Sequence, residues 1–97
     1  MSAFRLSGKA LRDVADIIGY QHRNRGASTA NAIESRLFTV FRDIAESPAM
    51  GHRRSDLTPR NIMFYYAQPY FILFRRMKQR TQVLRVAHES QDLKKFL

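Results

Sequence analysis

The chain has no cysteine and no tryptophan, only 4 Gly and 3 Pro in 97 residues, and 8 acidic residues against 17 basic ones. Lack of cysteine excludes a disulfide scaffold and thiolate-ligated zinc, and makes a reducing cytosol the expected compartment. Long hydrophobic runs are also missing. The longest, from Ile62 to Ala67 and from Tyr70 to Phe74, fall far short of the ~20 residues that cross a bilayer as a helix. Arg5, Lys9, Arg12, Asp13 and Asp16 break up the first twenty residues before an apolar signal-peptide core can form. The expectation is a soluble, cytoplasmic protein with no membrane association. No repeat, low-complexity stretch or linker divides the chain, so residues 1–97 read as a single domain. A domain this small buries a modest share of its surface, and a stabilising partner is expected.

What is present is arginine. The formal charge is +9, and 13 of the 17 basic residues are Arg. The planar guanidinium binds carboxylates and phosphates in a bidentate way, so acidic protein and nucleic acid head the list of partners. Ala3 to Leu6 reads as a short extended segment, and Ser7 as the cap of a helix from Gly8 to about Tyr20. Leu11, Val14, Ala15 and Ile18 gather on one face of that helix, with Arg12 and Asp16 on the solvent side. Gln21 to Gly26 reads as the turn. A second helix begins at Ser28 or Thr29 and runs to about Ser47, where Pro48 stops it. Its stripe is Ile33, Leu37, Phe41 and Ile44, widened by Phe38 and Ala45.

From Asn61 the period changes. Ile62 to Tyr66, Tyr70 to Phe74 and Thr81 to His88 are aromatic and β-branched runs of strand length, joined by connections short enough for hairpins. A short helix is expected from Gln91 to Leu97. The order β-α-α-β-β-β gives a small α+β domain with a helical hairpin packed on a twisted antiparallel sheet. Strand alternation sets Tyr70, Ile72 and Phe74 against Phe71, Leu73 and Arg75, and sets Met63 and Tyr65 against Ile62, Phe64 and Tyr66. Both faces are largely apolar, yet the hairpin covers only one. The second cover is either the C-terminal segment, through Leu93, Phe96 and Leu97, or another chain.

Three stretches taken together resemble one family. Leu6-Ser7-Gly8-Lys9-Ala10-Leu11-Arg12-Asp13-Val14-Ala15-Asp16-Ile17-Ile18 with Tyr20 is similar to the opening of the ParE toxins of bacterial type II toxin–antitoxin, or plasmid-stabilisation, modules. Pro48-Ala49-Met50-Gly51 with Arg54, Asp56 and Leu57 resembles that family's central link, and Leu84-Arg85-Val86-Ala87-His88 with Asp92-Leu93 its closing motif. The resemblance implies the β-α-α-β-β-β fold of the wider RelE-like superfamily, whose members either cut mRNA on the ribosome or poison DNA gyrase. In the cutters, basic residues on the first two meander strands and an Arg after the last strand serve the chemistry. RNA cleavage needs such groups to activate the 2′-OH, stabilise the phosphate charge and protonate the leaving oxygen. Those positions fall here on Ile62, Phe64 and Phe71, with the late Arg near Glu89. Apolar and acidic residues stand where the cations would be.

The resemblance therefore implies a toxin that inhibits gyrase by binding and stabilising its cleaved complex, without chemistry of its own. A ParD-like antitoxin would neutralise it, its acidic and apolar tail meeting Ile62, Phe64, Phe71, Leu73, Arg75 and Arg85. The gyrase-facing surface is expected at the Arg-rich last hairpin and the link before the sheet, through Arg53, Arg54, Arg60, Arg76, Lys78 and Arg80, together with the C-terminal tail. The alternatives are a ribosome-dependent mRNA endonuclease using Arg85, His88 and Glu89, and a basic nucleic-acid-binding module without toxicity. A lone histidine at a strand end is ordinarily structural, while His22 and His52 lie in polar connections. No His pair has the spacing of a zinc helix, and no cofactor or small-molecule substrate is expected. The aromatic residues are better explained by core packing than by base stacking.

Overall fold

A computed structural model describes residues 4–97. The order is β1 (Phe4–Leu6), α1 (Gly8–Arg25), α2 (Ala27–Glu46), β2 (His52–Arg53), β3 (Met63–Ala67), β4 (Tyr70–Arg76), β5 (Thr81–His88) and a 3₁₀ turn, Leu93–Phe96. The α+β class and the helical hairpin on a sheet are as the sequence implies. Ala3, expected in the first strand, lies outside the described residues. No helix among the described residues is long and apolar enough to cross a membrane.

Several boundaries differ from expectation. Gln21 to Arg25 continues α1 as a further turn of helix, because nothing there breaks one. The whole reversal is made at Gly26, whose φ of 91° lies where a side chain is rarely tolerated. His22 is consequently an exposed helix residue. The buried stripe of α1 is Ala10 and Val14, with Ile17 and Ile18 partly buried, while Leu11 is 56% exposed. The C-terminal segment forms a single 3₁₀ turn in place of the expected helix, with the Asp92 carboxylate accepting from the Lys94 N–H.

The sheet has five strands in the order β1-β5-β4-β3-β2. The added strand, β2, is only two residues and pairs His52 with Phe64 and Arg53 with Met63. Gly51 makes that approach possible: its φ is 85°, and a Cβ there would stand 2.5 Å from Phe74 Cζ. β1 runs parallel to β5 and the remaining pairings are antiparallel. A bulge interrupts the β4–β5 ladder, since Leu73 pairs with Arg85 and Phe74 with Val83, leaving Leu84 unpaired. Val83 and Val86 thus face the helices, while Leu84 packs on the opposite face.

Strand alternation resolves the two-faced sheet. Tyr70, Ile72, Phe74, Val83 and Val86 meet Ala10, Val14, Leu37, Phe41 and Ile44 in the inner core. On the outer face Ile62, Phe64 and Leu73 are buried beneath Leu57, Leu84, Leu93, Phe96 and Leu97. The C-terminal segment is therefore the second cover. An Arg completes the inner layer: Arg76 donates to the carbonyls of Ile44, Ser47 and Met50 at 2.8–2.9 Å. The last turn of α2 has no basic residue of its own, so this cation from β4 satisfies orphan carbonyls and opposes the helix dipole.

α1 is tied to β5 by side chains. The Ser7 N–H donates to Val83 O, and Ser7 Oγ donates to Leu84 O while accepting from the Ala10 N–H. The Asp13 carboxylate accepts from Arg85 Nε at 2.8 Å, from Arg85 Nη2 at 3.0 Å and from the Val86 N–H at 2.9 Å. Hydrogen bonding to Asp13 raises the Arg85 pKa above its ordinary value. The two side chains are 22% and 11% exposed for Arg85 and Asp13 respectively, so removing the carboxylate strands a largely desolvated cation and a backbone donor.

Two stability predictions follow from this packing. Asp13→Ala should lower the unfolding free energy by about 2–3 kcal/mol, less than a fully buried pair would lose because water reaches part of this one. Denaturant melts giving a loss under 1 kcal/mol would show that the pair does not hold α1 to the sheet. Gly51→Ala should cost about 2–4 kcal/mol, combining a left-handed φ with displacement of the buried Phe74 ring. A thermal midpoint equal to that of the parent would contradict the close approach.

Candidate functional site

Three sets of residues were candidates, and the fold treats each differently. Arg85, His88 and Glu89 follow one another along β5 and its end, yet their side chains go to separate places. Arg85 is held by Asp13 and lies with its guanidinium carbon 4.4 Å from the centre of the Phe96 ring. His88 turns the other way, edge-on to Tyr70 at 5.6 Å between ring centres. Its Nδ1 accepts from the Ser90 N–H and contacts Ser90 Oγ at 2.7 Å, which leaves Nε2 as the protonated nitrogen of the neutral ring. Glu89 accepts a hydrogen bond from the Tyr66 hydroxyl. That contact raises the Tyr66 phenol pKa above its usual value. No cation, base and acid of this set converge on one point.

His88 does line a cleft of about 480 Å³ with Asp16, Tyr20, Gln21, Arg25 and Gln91. It lies between the C-terminal half of α1 and the β5 end, on the opposite side of the sheet from Arg85. Among the described residues no group of three or more His, Asp or Glu is placed to hold a metal ion.

The second set is the outer sheet face. Ile62, Phe64 and Leu73 are at most 2% exposed beneath the C-terminal segment, so they present no surface in this structure. Phe71 is half-buried and stacks on the exposed Tyr66 with ring centres 4.7 Å apart. Arg75 is half-buried on the same face, and Arg85 is engaged as described. Beside the C-terminal segment a groove of about 370 Å³ runs past Lys9, Arg60, Leu84, Phe96 and Leu97. It has an apolar floor and a basic rim.

The third set, the Arg-rich end, contains fewer available cations than its count suggests. Arg53 donates to the Pro59 and Arg60 carbonyls, and Arg54 makes a two-pronged bond to Asp56 at 2.8 and 2.9 Å. The Arg54 guanidinium correspondingly holds the Asp56 carboxyl below its ordinary pKa. Arg76 is spent on the α2 terminus. Arg60, Lys78 and Arg80 are exposed. The residue that sequence reasoning left without a role is Asp13. Its signal was an acid lying three residues from Ala10 and four from Ile17, on the apolar flank of α1.

Known proteins agree with this architecture. A chain from the chromosomal ParDE toxin–antitoxin system of P. aeruginosa superposes with a TM-score of 0.76 at 18% identity, covering 91% of this chain and 96% of that one. A chain of the RelBE2 toxin–antitoxin complex from Mycobacterium tuberculosis gives 0.64 at 18% identity, with 90% and 96% covered. At that identity both likenesses bear on the fold alone. In sequence, Toxin ParE1 of Caulobacter vibrioides is 30% identical over 97 residues, spanning 100% of this chain and 99% of its own length. The family described as the ParE toxin of the type II toxin–antitoxin system parDE matches residues 4–93. With nearly every described residue inside that match, the chain belongs to the ParE family of type II toxins.

Proposed function

We propose that this ParE-family chain acts by binding DNA gyrase and holding it in its DNA-cleaved state, and that a ParD-like antitoxin neutralises it. The observation that carries the binding reading is the dispersal of the ribonuclease-like set Arg85, His88 and Glu89. Arg85 is neutralised by Asp13, His88 faces the opposite side of the sheet, and Glu89 is bound to Tyr66. A general base needs to lie within hydrogen-bond reach of the proton it takes, close to a cation that meets the developing charge. Two of the three strand positions where the mRNA cutters carry basic groups hold Ile62 and Phe64, both buried. A toxin without chemistry works by unequal affinity, because equal affinity for every gyrase state shifts none of them.

The antitoxin reading rests on the family and on the solved relatives, which come from toxin–antitoxin systems. It is also favoured by the groove beside the C-terminal segment, whose apolar floor and basic rim suit an acidic, apolar tail. Of the residues expected to meet that tail, Phe71 and Arg75 keep exposed surface without a side-chain partner that holds them, whereas Arg85, also partly exposed, is engaged by Asp13.

A gyrase supercoiling assay beside a translation extract tests the main reading. Purified toxin should inhibit supercoiling and accumulate cleaved DNA while leaving mRNA uncut. His88→Gln should keep potency within a few-fold, since loss of a general acid or base costs roughly 10²-fold or more. A ribosome-dependent cut that disappears in His88→Gln would establish the nuclease and end the gyrase reading. For the antitoxin, Phe71→Glu should weaken binding at least tenfold with a small change in melting temperature, whereas Leu73→Glu should prevent folding by burying a carboxylate. Unchanged antitoxin affinity in a folded Phe71→Glu protein would move the antitoxin off this face.

A further inference from the structure

The sheet register brings separated cations to one end of the outer face. Arg5 on β1 pairs with Gln82 on β5, which pairs with Arg75 on β4. The neighbours of these residues, Phe4, Leu6, Phe74 and Val83, pack in the inner core. Arg5, Gln82 and Arg75 therefore form a row across the outer face, with the two guanidinium-bearing strands about 10 Å apart. Lys78 and Arg80 project from the adjoining β4–β5 turn, and Arg60 stands before β3 at the same end. None of the five side chains is held by a hydrogen bond or ion pair among the described residues, in contrast to Arg53, Arg54, Arg76 and Arg85. From Leu57 to His88 the chain has no acidic residue at all.

We infer that this end of the outer face is a docking surface for the phosphodiester backbone of duplex DNA. An acidic protein would be the other partner for such charge, but protein interfaces have an apolar core, and of these cations only Arg60 borders the apolar groove beside the C-terminal segment. Here the large exposed apolar residue near the cations is Met77, while the exposed Tyr66 lies at the far end of the sheet. A row of Arg and Lys on strands and a turn that carry no acid, with the Gln82 amide between Arg5 and Arg75, instead matches backbone contacts, which need charge and hydrogen-bond donors without shape-matched pockets. The inference goes beyond the gyrase reading and does not require it.

Fluorescence polarisation with the full chain and a labelled DNA duplex of arbitrary sequence tests it across a salt series. Affinity should fall with salt at a log–log slope of about −3.6 to −4.5, the range for four or five phosphate contacts. The triple variant Arg75→Gln, Lys78→Gln, Arg80→Gln should bind at least tenfold more weakly and lose about 2–3 from that slope. The control triple Arg12→Gln, Arg23→Gln, Arg25→Gln, which removes the same charge from α1, should stay within threefold of the parent. Equal losses in the two triples would mean that only net charge matters and would overturn the site. Tenfold tighter binding of an equal-length RNA duplex, or of polyglutamate, would overturn the assignment to DNA. Duplex binding without gyrase inhibition would leave this inference standing and remove the gyrase reading, and gyrase inhibition undiminished in the first triple without duplex binding would do the reverse.

Discussion

The open edge of β5 is the constraint around which the molecule is arranged. β1 pairs with β5 only from Thr81 to Val83, so beyond it the strand would present unpaired donors and acceptors to solvent or to a neighbouring sheet. Buried or half-buried backbone groups without partners are costly, and long open edges invite aggregation. Here the first turns of α1 take the place of a strand: Ser7 occupies the Val83 and Leu84 carbonyls, and Asp13 occupies the Val86 N–H and the Arg85 side chain. The bulge at Leu84 makes this possible by turning two successive carbonyls to the same edge. With α1 fixed there, α2 follows through the single-residue reversal at Gly26, and the inner core closes.

The same substitution explains why so many arginines in the chain are structural. Arg85 completes the edge, Arg76 satisfies the end of α2, Arg53 ties down the link before β3, and Arg54 is matched by Asp56. Each supplies several planar donors to carbonyl or carboxylate groups, a task for which lysine is poorly shaped. The high arginine content is thus partly a means of building a small α+β domain with few acids and little core. Of the arginines left over, five lie on the two helices and Arg5, Arg60, Arg75 and Arg80 lie at one end of the outer face.

Much of the fold was legible because it depends on local patterns. The α2 stripe Leu37, Phe41 and Ile44, the Ser7 cap and the alternation along β3 and β4 all depend on residues close in sequence. The two-faced sheet could be read too, because Phe71 and Leu73 alternate with Tyr70 and Ile72 whatever their covers. The features that departed from the sequence pattern were decided by distant contacts. Leu11 lost its place in the stripe because α1 is rotated so that Asp13 reaches β5, which brings Ala10 and Val14 inward. β2 is too short to have a period. The dispersal of Arg85, His88 and Glu89 depends on the bulge and the strand end, neither of which has a signature in the residues themselves. Arg76 looked like surface charge because its partners, carbonyls at 44, 47 and 50, carry no sequence signal.

The guanidinium of Arg85 has its edge against Asp13 and its face against Phe96. One group therefore joins the helix layer to the C-terminal cover, and neither contact is independent of the other. A substitution at 13 frees the cation to shift off the ring, and a substitution at 96 uncovers the cation to water and weakens its hold on the carboxylate. The energies of changes at 13, 85 and 96 should fail to add. Among relatives the three positions would then be expected to drift as a set, so that a neutral residue at 13 or an aliphatic one at 96 is tolerated mainly where 85 has ceased to be arginine.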